Sequence, residues 1–167
     1  MEKFEPKKLP KGASDAEVAS SKIYRRNGHW GKIGIPCEML LSCLMSAGRS
    51  VKNGKKKIST AKTTTLLGFM SIQEMFIPFT NLGSWKIDVR SGAIDKKAIR
   101  IVRPRFDEWE FTVTIEYNEK MVDESTLRTL FETAGSTCGL GIFRPSHRGS
   151  FGRFAVESWT TKDVKAA

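Results

Sequence analysis

Two periodicities run through this chain. The stretch WEFTVTIEY alternates strictly: Phe111, Val113, Ile115 and Tyr117 are separated by Thr112, Thr114 and Glu116. Period two predicts a strand with one face buried and the other wet. Elsewhere the spacing is helical. Leu40, Leu41, Leu44, Met45 and Ala47 form a stripe behind Pro36, and Gly48 suits the exit. Pro36 is read as the opening residue of that helix, where a missing N–H costs nothing. Leu127, Leu130, Phe131 and Ala134 form a second stripe, with Asp123 placed to cap it, Glu124 in its first turn and Gly135 at its end. Both stripes are read as core.

The remaining pattern fills in strands. Asn27-Gly28 predicts a hairpin turn joining short strands at 22–26 and 32–35. TLLGFMSIQEMFIPF reads as one long apolar strand bent at Gly68. WKIDVR and AIRIVRP read as strands joined by a loop around Ser91-Gly92, and FGRFAVESW as the last strand. Residues 1–21 are polar and aperiodic, an arm at most partly ordered. One domain is expected over 22–160, with 161–167 as a tail. Hairpin, helix, antiparallel strands, helix, strand is the order of an α+β protein. The economical solution is a ferredoxin-like (RRM-like) antiparallel sheet with two helices on one face.

Charge changes the picture. Among 167 residues, 28 are Lys or Arg and 18 are Asp or Glu, a net +10 that attracts polyanions. The excess is clustered: RSVKNGKKKISTAK holds Arg49, Lys52, Lys55, Lys56, Lys57 and Lys62 and no acid. Its Asn53-Gly54 predicts a tight turn, hence a basic hairpin insertion. Cys37, Cys43 and Cys138 have neither disulfide-framework nor zinc spacing and are read as reduced, mostly buried thiols of a cytoplasmic protein. No cofactor or metal is expected, and no membrane association either, since the start has no apolar signal region and no apolar run approaches a span.

Candidate chemistry concentrates near the end, in CGLGIFRPSHRGSFGRF. Gly139, Gly141, Gly149 and Gly152 let backbone N–H groups approach a ligand closely, and Arg144, Arg148 and Arg153 carry forks that pair with phosphate oxygens. Phe143, Phe151 and Phe154 offer rings for splayed bases, or simply anchor the last strand in the core. His147 has the chemistry of a phosphate neighbour, or of a general acid–base in metal-independent RNA cleavage. His29 is read as structural or solvated. In IRIVRPRFDEW, Arg100, Arg103 and Arg105 lie near Phe106 and Trp109, and 103 and 105 share a strand face; this is a second phosphate surface, or a solvated sheet edge with Trp109 in the core. Neither a Walker loop nor a Rossmann turn is present.

Ile35-Pro36 leading into a helix with Leu40 and Leu44, then Arg49, resembles the Ile-Pro helix opening of the repeat-associated mysterious proteins, the RAMP superfamily. GLGIFRPSHRGSFGRF is similar to that superfamily's carboxy-terminal glycine-rich loop, and to the tails of small bacteriophage proteins. Cys37-Glu38-Met39 stand where the family has Gly-Ser-Ser. The resemblance implies an RRM-like ferredoxin fold, RNA binding through the glycine-rich loop and a basic insertion, and side-by-side assembly along a strand, as in CRISPR backbone subunits. The expected function is therefore non-catalytic binding of RNA or single-stranded DNA, as a homo-oligomer or as a subunit of a ribonucleoprotein. Two alternatives stay open: a phage interaction or inhibitor protein that mimics such a subunit, and a metal-independent ribonuclease using His147.

Overall fold

The computed structural model of the chain describes residues 9–26, 31–94 and 97–163. In chain order its elements are α1 (Asp15–Ser20), β1 (Gly34–Pro36), α2 (Cys37–Ala47), β2 (Lys52–Asn53), β3 (Lys56–Lys57), α3 (Leu66–Phe69), β4 (Met70–Ile72), β5 (Phe76–Leu82), β6 (Trp85–Ile94), β7 (Lys97–Phe106), β8 (Trp109–Phe111), β9 (Ile115–Tyr117) and α4 (Glu124–Thr133). A π turn, Ala134–Cys138, prolongs α4, and a 3₁₀ turn follows at Pro145–His147. Among the described residues every named ladder is antiparallel, so the protein is α+β with four helices. The sheets are small and split: one of three strands, β1-β5-β8, and three of two.

The chain forms two units, each assembled from two stretches: Met1–Pro36 with Glu74–Val113, and Cys37–Gln73 with Thr114–Ala167. In the first, order begins inside the segment read as an arm. Ser14-x-x-Glu17 is a capping box: the Ser14 hydroxyl accepts from the Glu17 N–H at 3.3 Å, and the Glu17 carboxylate accepts from the Ser14 N–H at 2.8 Å. That local signal starts α1 without a long apolar stripe. A two-stranded hairpin alone is marginal in water. Here α1 packs on β6 and β7, burying Ala19 and Val102, while the Arg100 guanidinium forks the Asp15 carboxylate. The predicted loop at Ser91-Gly92 is absent; both residues sit in the ladder, opposite Arg100 and Ile99. The Ile101 side chain covers Gly92, which is why a glycine is tolerated there. The Asn27-Gly28 turn and His29 lie outside the described residues, but Arg25 and Ile33 on either side form an antiparallel bridge.

The second unit holds the larger core. Leu40 and Leu44 of α2 are fully buried, as are Leu127 and Leu130 of α4, and the two helices pack together. The second predicted stripe is thus core throughout, and in the first Leu40, Leu44 and Ala47 are core while Leu41 and Met45 are half-buried. Pro36, however, closes β1 opposite Phe76 instead of opening α2. Gly135 does not end the second helix: the Ser136 and Thr137 hydroxyls donate to the carbonyls of Glu132 and Thr133, competing with the backbone ladder where it widens into the π turn, and Gly139 ends it at φ +71°. The long strand predicted through Gly68 is broken into α3, β4 and β5, because Leu66 and Phe69 are buried at helical spacing while Leu67 points to solvent. In WEFTVTIEY the in–out alternation holds from 109 to 117, yet β8 pairs with β5 and β9 with β4, so it is two short strands. FGRFAVESW forms no strand; its backbone bonds go to a loop and a helix end, Leu140 N to Gly152 O and Phe154 N to Gly135 O. Trp159 anchors it by an edge contact to Phe131, with the Arg128 guanidinium 5.9 Å above its ring.

All three cysteines are free and buried. Among the described residues no helix is long and apolar enough to cross a membrane. Leu44 shows what the second core is worth: Leu44→Ala is expected to cost about 2–5 kcal/mol, read by urea denaturation.

Candidate nucleic-acid interface

The basic insertion is a hairpin, and its shape explains its exposure. Lys52 pairs with Lys57 and Asn53 with Lys56 across β2 and β3, so the turn residues are Gly54, at φ +61°, and Lys55; the predicted turn is shifted by one residue. Two lysines directly opposite each other repel, which disfavours the ladder. The hairpin is held from its base instead. Val51 and Ile58 are buried and joined by an Ile58 N to Val51 O bond of 3.0 Å, and the Asn53 amide donates to Met121 O at 2.8 Å. Lys52, Lys55, Lys56 and Lys57 are exposed, as are Arg49 just before the hairpin and Lys62 in the following turn. None of the six is in an ion pair with a described residue.

Where the base of this hairpin meets α4 lies an open groove of about 420 Å³, lined by Ser50, Val51, Lys52, Ser125, Thr126, Thr129 and Thr133. Thr129 donates back to Ser125 O, while the hydroxyls of Ser50, Ser125, Thr126 and Thr133 have no partner among the described residues. Sequence reasoning missed these residues. Their four-residue spacing at 125, 129 and 133 was visible, but it is also the pattern of any wet helix face. Five of its seven lining residues carry hydroxyls, so the groove is polar rather than purely cationic.

The glycine-rich loop is also built from local bonds. Arg144 O accepts from His147 N at 2.8 Å and Gly149 N at 3.0 Å, and Phe143 O accepts from Phe151 N at 2.9 Å. Arg144 is half-buried and its guanidinium is already engaged: it donates through Nη1 to Gly141 O at 2.6 Å, through Nε to Ser146 Oγ at 3.0 Å, and through Nη2 to His147 Nε2 at 2.8 Å. Arg148, in the left-handed region at φ +62°, and Arg153 are exposed. Phe143, Phe151 and Phe154 are half-buried. Cys43 lines a small cleft beside Gly139, Gly141 and Arg144, and burial pushes its thiol up to about 12, so it is not a nucleophile there.

The two cation sets share one unit. The base of the hairpin shares its groove with α4 from Ser125 to Thr133, and the glycine-rich loop shares its cleft with Met39, Ser42 and Cys43 of α2.

In the other unit, Arg103 and Arg105 share a face of β7, as their spacing predicts. The charge of Arg105 is partly spent internally: Asp107 accepts from both Lys86 and Arg105 at 2.6 Å, and Lys86 first, then Arg105, holds its carboxyl below the usual carboxylate range. Arg103 is half-buried, with an enclosed Nε that makes no hydrogen bond. Phe106 and Trp109 belong to an aromatic cluster around Phe79, with ring centroids 6.0 Å away in each case, and Trp109 stacks on Phe111.

No group of three or more His, Cys, Asp or Glu side chains among the described residues is placed to hold a metal ion. No family model, curated protein or solved structure matches this chain.

Proposed function

We propose that this chain binds RNA or single-stranded DNA through the phosphodiester backbone, without cleaving it. The observation that supports this most is the lysine hairpin: Lys52 stands directly opposite Lys57, Lys55 and Lys56 extend the same rigidly based finger, and no described acid neutralises any of them. Placing like charges there is unfavourable in the free protein and becomes favourable when a polyanion lies between them. Arg148 and Arg153, exposed in and after the glycine-rich loop, supply a second cationic contact, and the unpartnered hydroxyls near Lys52 are donors suited to phosphate oxygens. The RAMP resemblance, its ferredoxin-like (RRM-like) arrangement, assembly as a homo-oligomer or ribonucleoprotein subunit, and a cytoplasmic place of action belong to the same proposal.

The test is titration of labelled single-stranded RNA, single-stranded DNA and duplex over a range of salt. Affinity for the single strands should fall by about 0.7 log units per log unit of salt for each phosphate neutralised, with little dependence on base sequence. Protein purified without nuclease should carry nucleic acid. Absence of binding at low salt, together with a defined protein partner in pull-downs, would sink this reading and leave the interaction-module alternative.

A further inference from the structure

We infer that β6 is a self-pairing edge: two copies of this chain join along it, antiparallel about a two-fold axis at Val89, and their two-stranded ribbons become one sheet. The inference gives a surface to the self-assembly proposed above and rests on that part of the reading, not on nucleic-acid binding.

β6 and β7 form one long ladder, Trp85–Ile94 against Lys97–Phe106, and no third strand joins it among the described residues. Such a ribbon has two open edges, each a row of N–H and C=O groups turned outward and ready to pair with another chain. None of the backbone bonds that tie the described loops and turns ends on β6. The two edges are not alike. β7 carries Lys97, Arg100, Arg103 and Arg105 without an acid, and Pro104 has no N–H to give. Pairing of that edge with itself would oppose cations. β6 has no proline, and Asp88 partly balances its Lys86 and Arg90.

Burial points to the same edge. Val89 lies directly opposite Val102 and Ile87 opposite Pro104, so these four share one face of the ribbon. α1 covers that face mainly over β7, where Arg100 holds Asp15 and Val102 is buried. On the β6 side the same apolar strip is left open, with Ile87 45% and Val89 42% exposed. A second β6 laid alongside continues that strip.

The register follows from faces and charges. Paired residues must share a face, so a two-fold axis normal to the sheet passes through a residue. At Val89 it sets that residue against its own copy, Ile87 against Ser91, Lys86 against Gly92 and Trp85 against Ala93. Asp88 then meets Arg90 of the other copy on both sides of the axis. Within one strand the Arg90 guanidinium already donates to Asp88 at 2.7 Å, and across the axis the same charges complement each other again. Moving the axis one residue either way opposes Asp88 to Asp88 or Arg90 to Arg90, which is destabilising. Moving it further shortens the ladder.

The test is analytical ultracentrifugation of nuclease-treated full-length protein at moderate ionic strength. Wild type should be a dimer that dissociates on dilution. Asp88→Arg and Arg90→Asp each replace two attractive cross-axis pairs with two repulsive ones, so either variant alone should dissociate about thirtyfold more readily. Mixed together, they restore opposite charges at both positions and should form a heterodimer of near wild-type strength, which misfolded chains could not do. Cross-linking reads the register. Val89→Cys should close a disulfide between copies under mild oxidant, since directly opposed residues bring their Cα atoms about 4.5–5.5 Å apart. Ser91→Cys should not, because its two copies would lie about 13 Å apart along the strands.

A monomeric wild type sinks both this pairing and the self-assembly it rests on. The β6 edge alone is overturned by a wild-type dimer that both charge variants leave intact, by a mixture that fails to recombine, or by Ser91→Cys linking as fast as Val89→Cys. No nucleic acid is present, so none of these outcomes touches the binding of RNA or single-stranded DNA.

Discussion

Changing Lys55, Lys56 and Lys57 together to alanine is expected to weaken binding to single-stranded RNA about a hundredfold near physiological salt, and to flatten the salt dependence by about two log units per log unit. The loss should be uniform across base sequences, since these ammonium groups can reach phosphates and read no base edges. Stability gives an internal control. All three side chains are exposed and the hairpin is anchored through Val51, Ile58 and Asn53, so the variant should unfold at the wild-type denaturant midpoint or slightly above it, as the Lys52–Lys57 repulsion disappears. A folded variant with unchanged affinity and an unchanged salt slope would remove the finger from the binding surface.

The second large effect is structural. Gly152→Ala is expected to destabilise the protein by about 3–4 kcal/mol, lowering its melting temperature by roughly 10 °C. Gly152 has φ +74°, where an L-side chain is strained, and an added Cβ would land on the carbonyl oxygen of Leu140. That carbonyl belongs to the residue whose N–H donates to Gly152 O at 2.8 Å, so the loop would have to open at the point where it closes. Gly141→Ala separates the two causes. Gly141 has φ +84° but open space around it, so that change should cost about 1–2 kcal/mol from the backbone alone. Thermal unfolding of the pair reads both numbers; equal shifts would show that the contact with Leu140 does not matter.

The sequence was most legible where one periodicity had one solution. The helical stripes of α2 and α4 and the outward lysines of the hairpin could be read directly, because burial at Leu40, Leu44, Leu127 and Leu130 follows from spacing. It failed where local chemistry competed with periodicity. Ser136 and Thr137 continue a helix past Gly135 by bonding back to its carbonyls, and no apolar pattern records that. Leu66 to Phe69 is too short for period to distinguish helix from strand. The capping box at Ser14 and Glu17 is written in the chain, but it lies in a segment with no apolar stripe to mark a helix. At the candidate site, composition identified the cations but not their commitments. Arg105 is bound to Asp107, and Arg144 to three groups of its own loop, and these bonds depend on side-chain geometry that spacing does not encode.

Because each unit is assembled from two distant stretches, this chain cannot be finished piecemeal as it leaves the ribosome. When residue 73 has emerged, α2 exists with its apolar flank ready, but the surface it needs is still untranslated: the Cys43 thiol must wait for the carbonyl of Ala134, 91 positions later. Contacts of such long sequence separation slow folding and leave greasy intermediates exposed meanwhile. Nascent chains halted before residue 124 should therefore depend on holdase chaperones, and those completed past 140 should shed them.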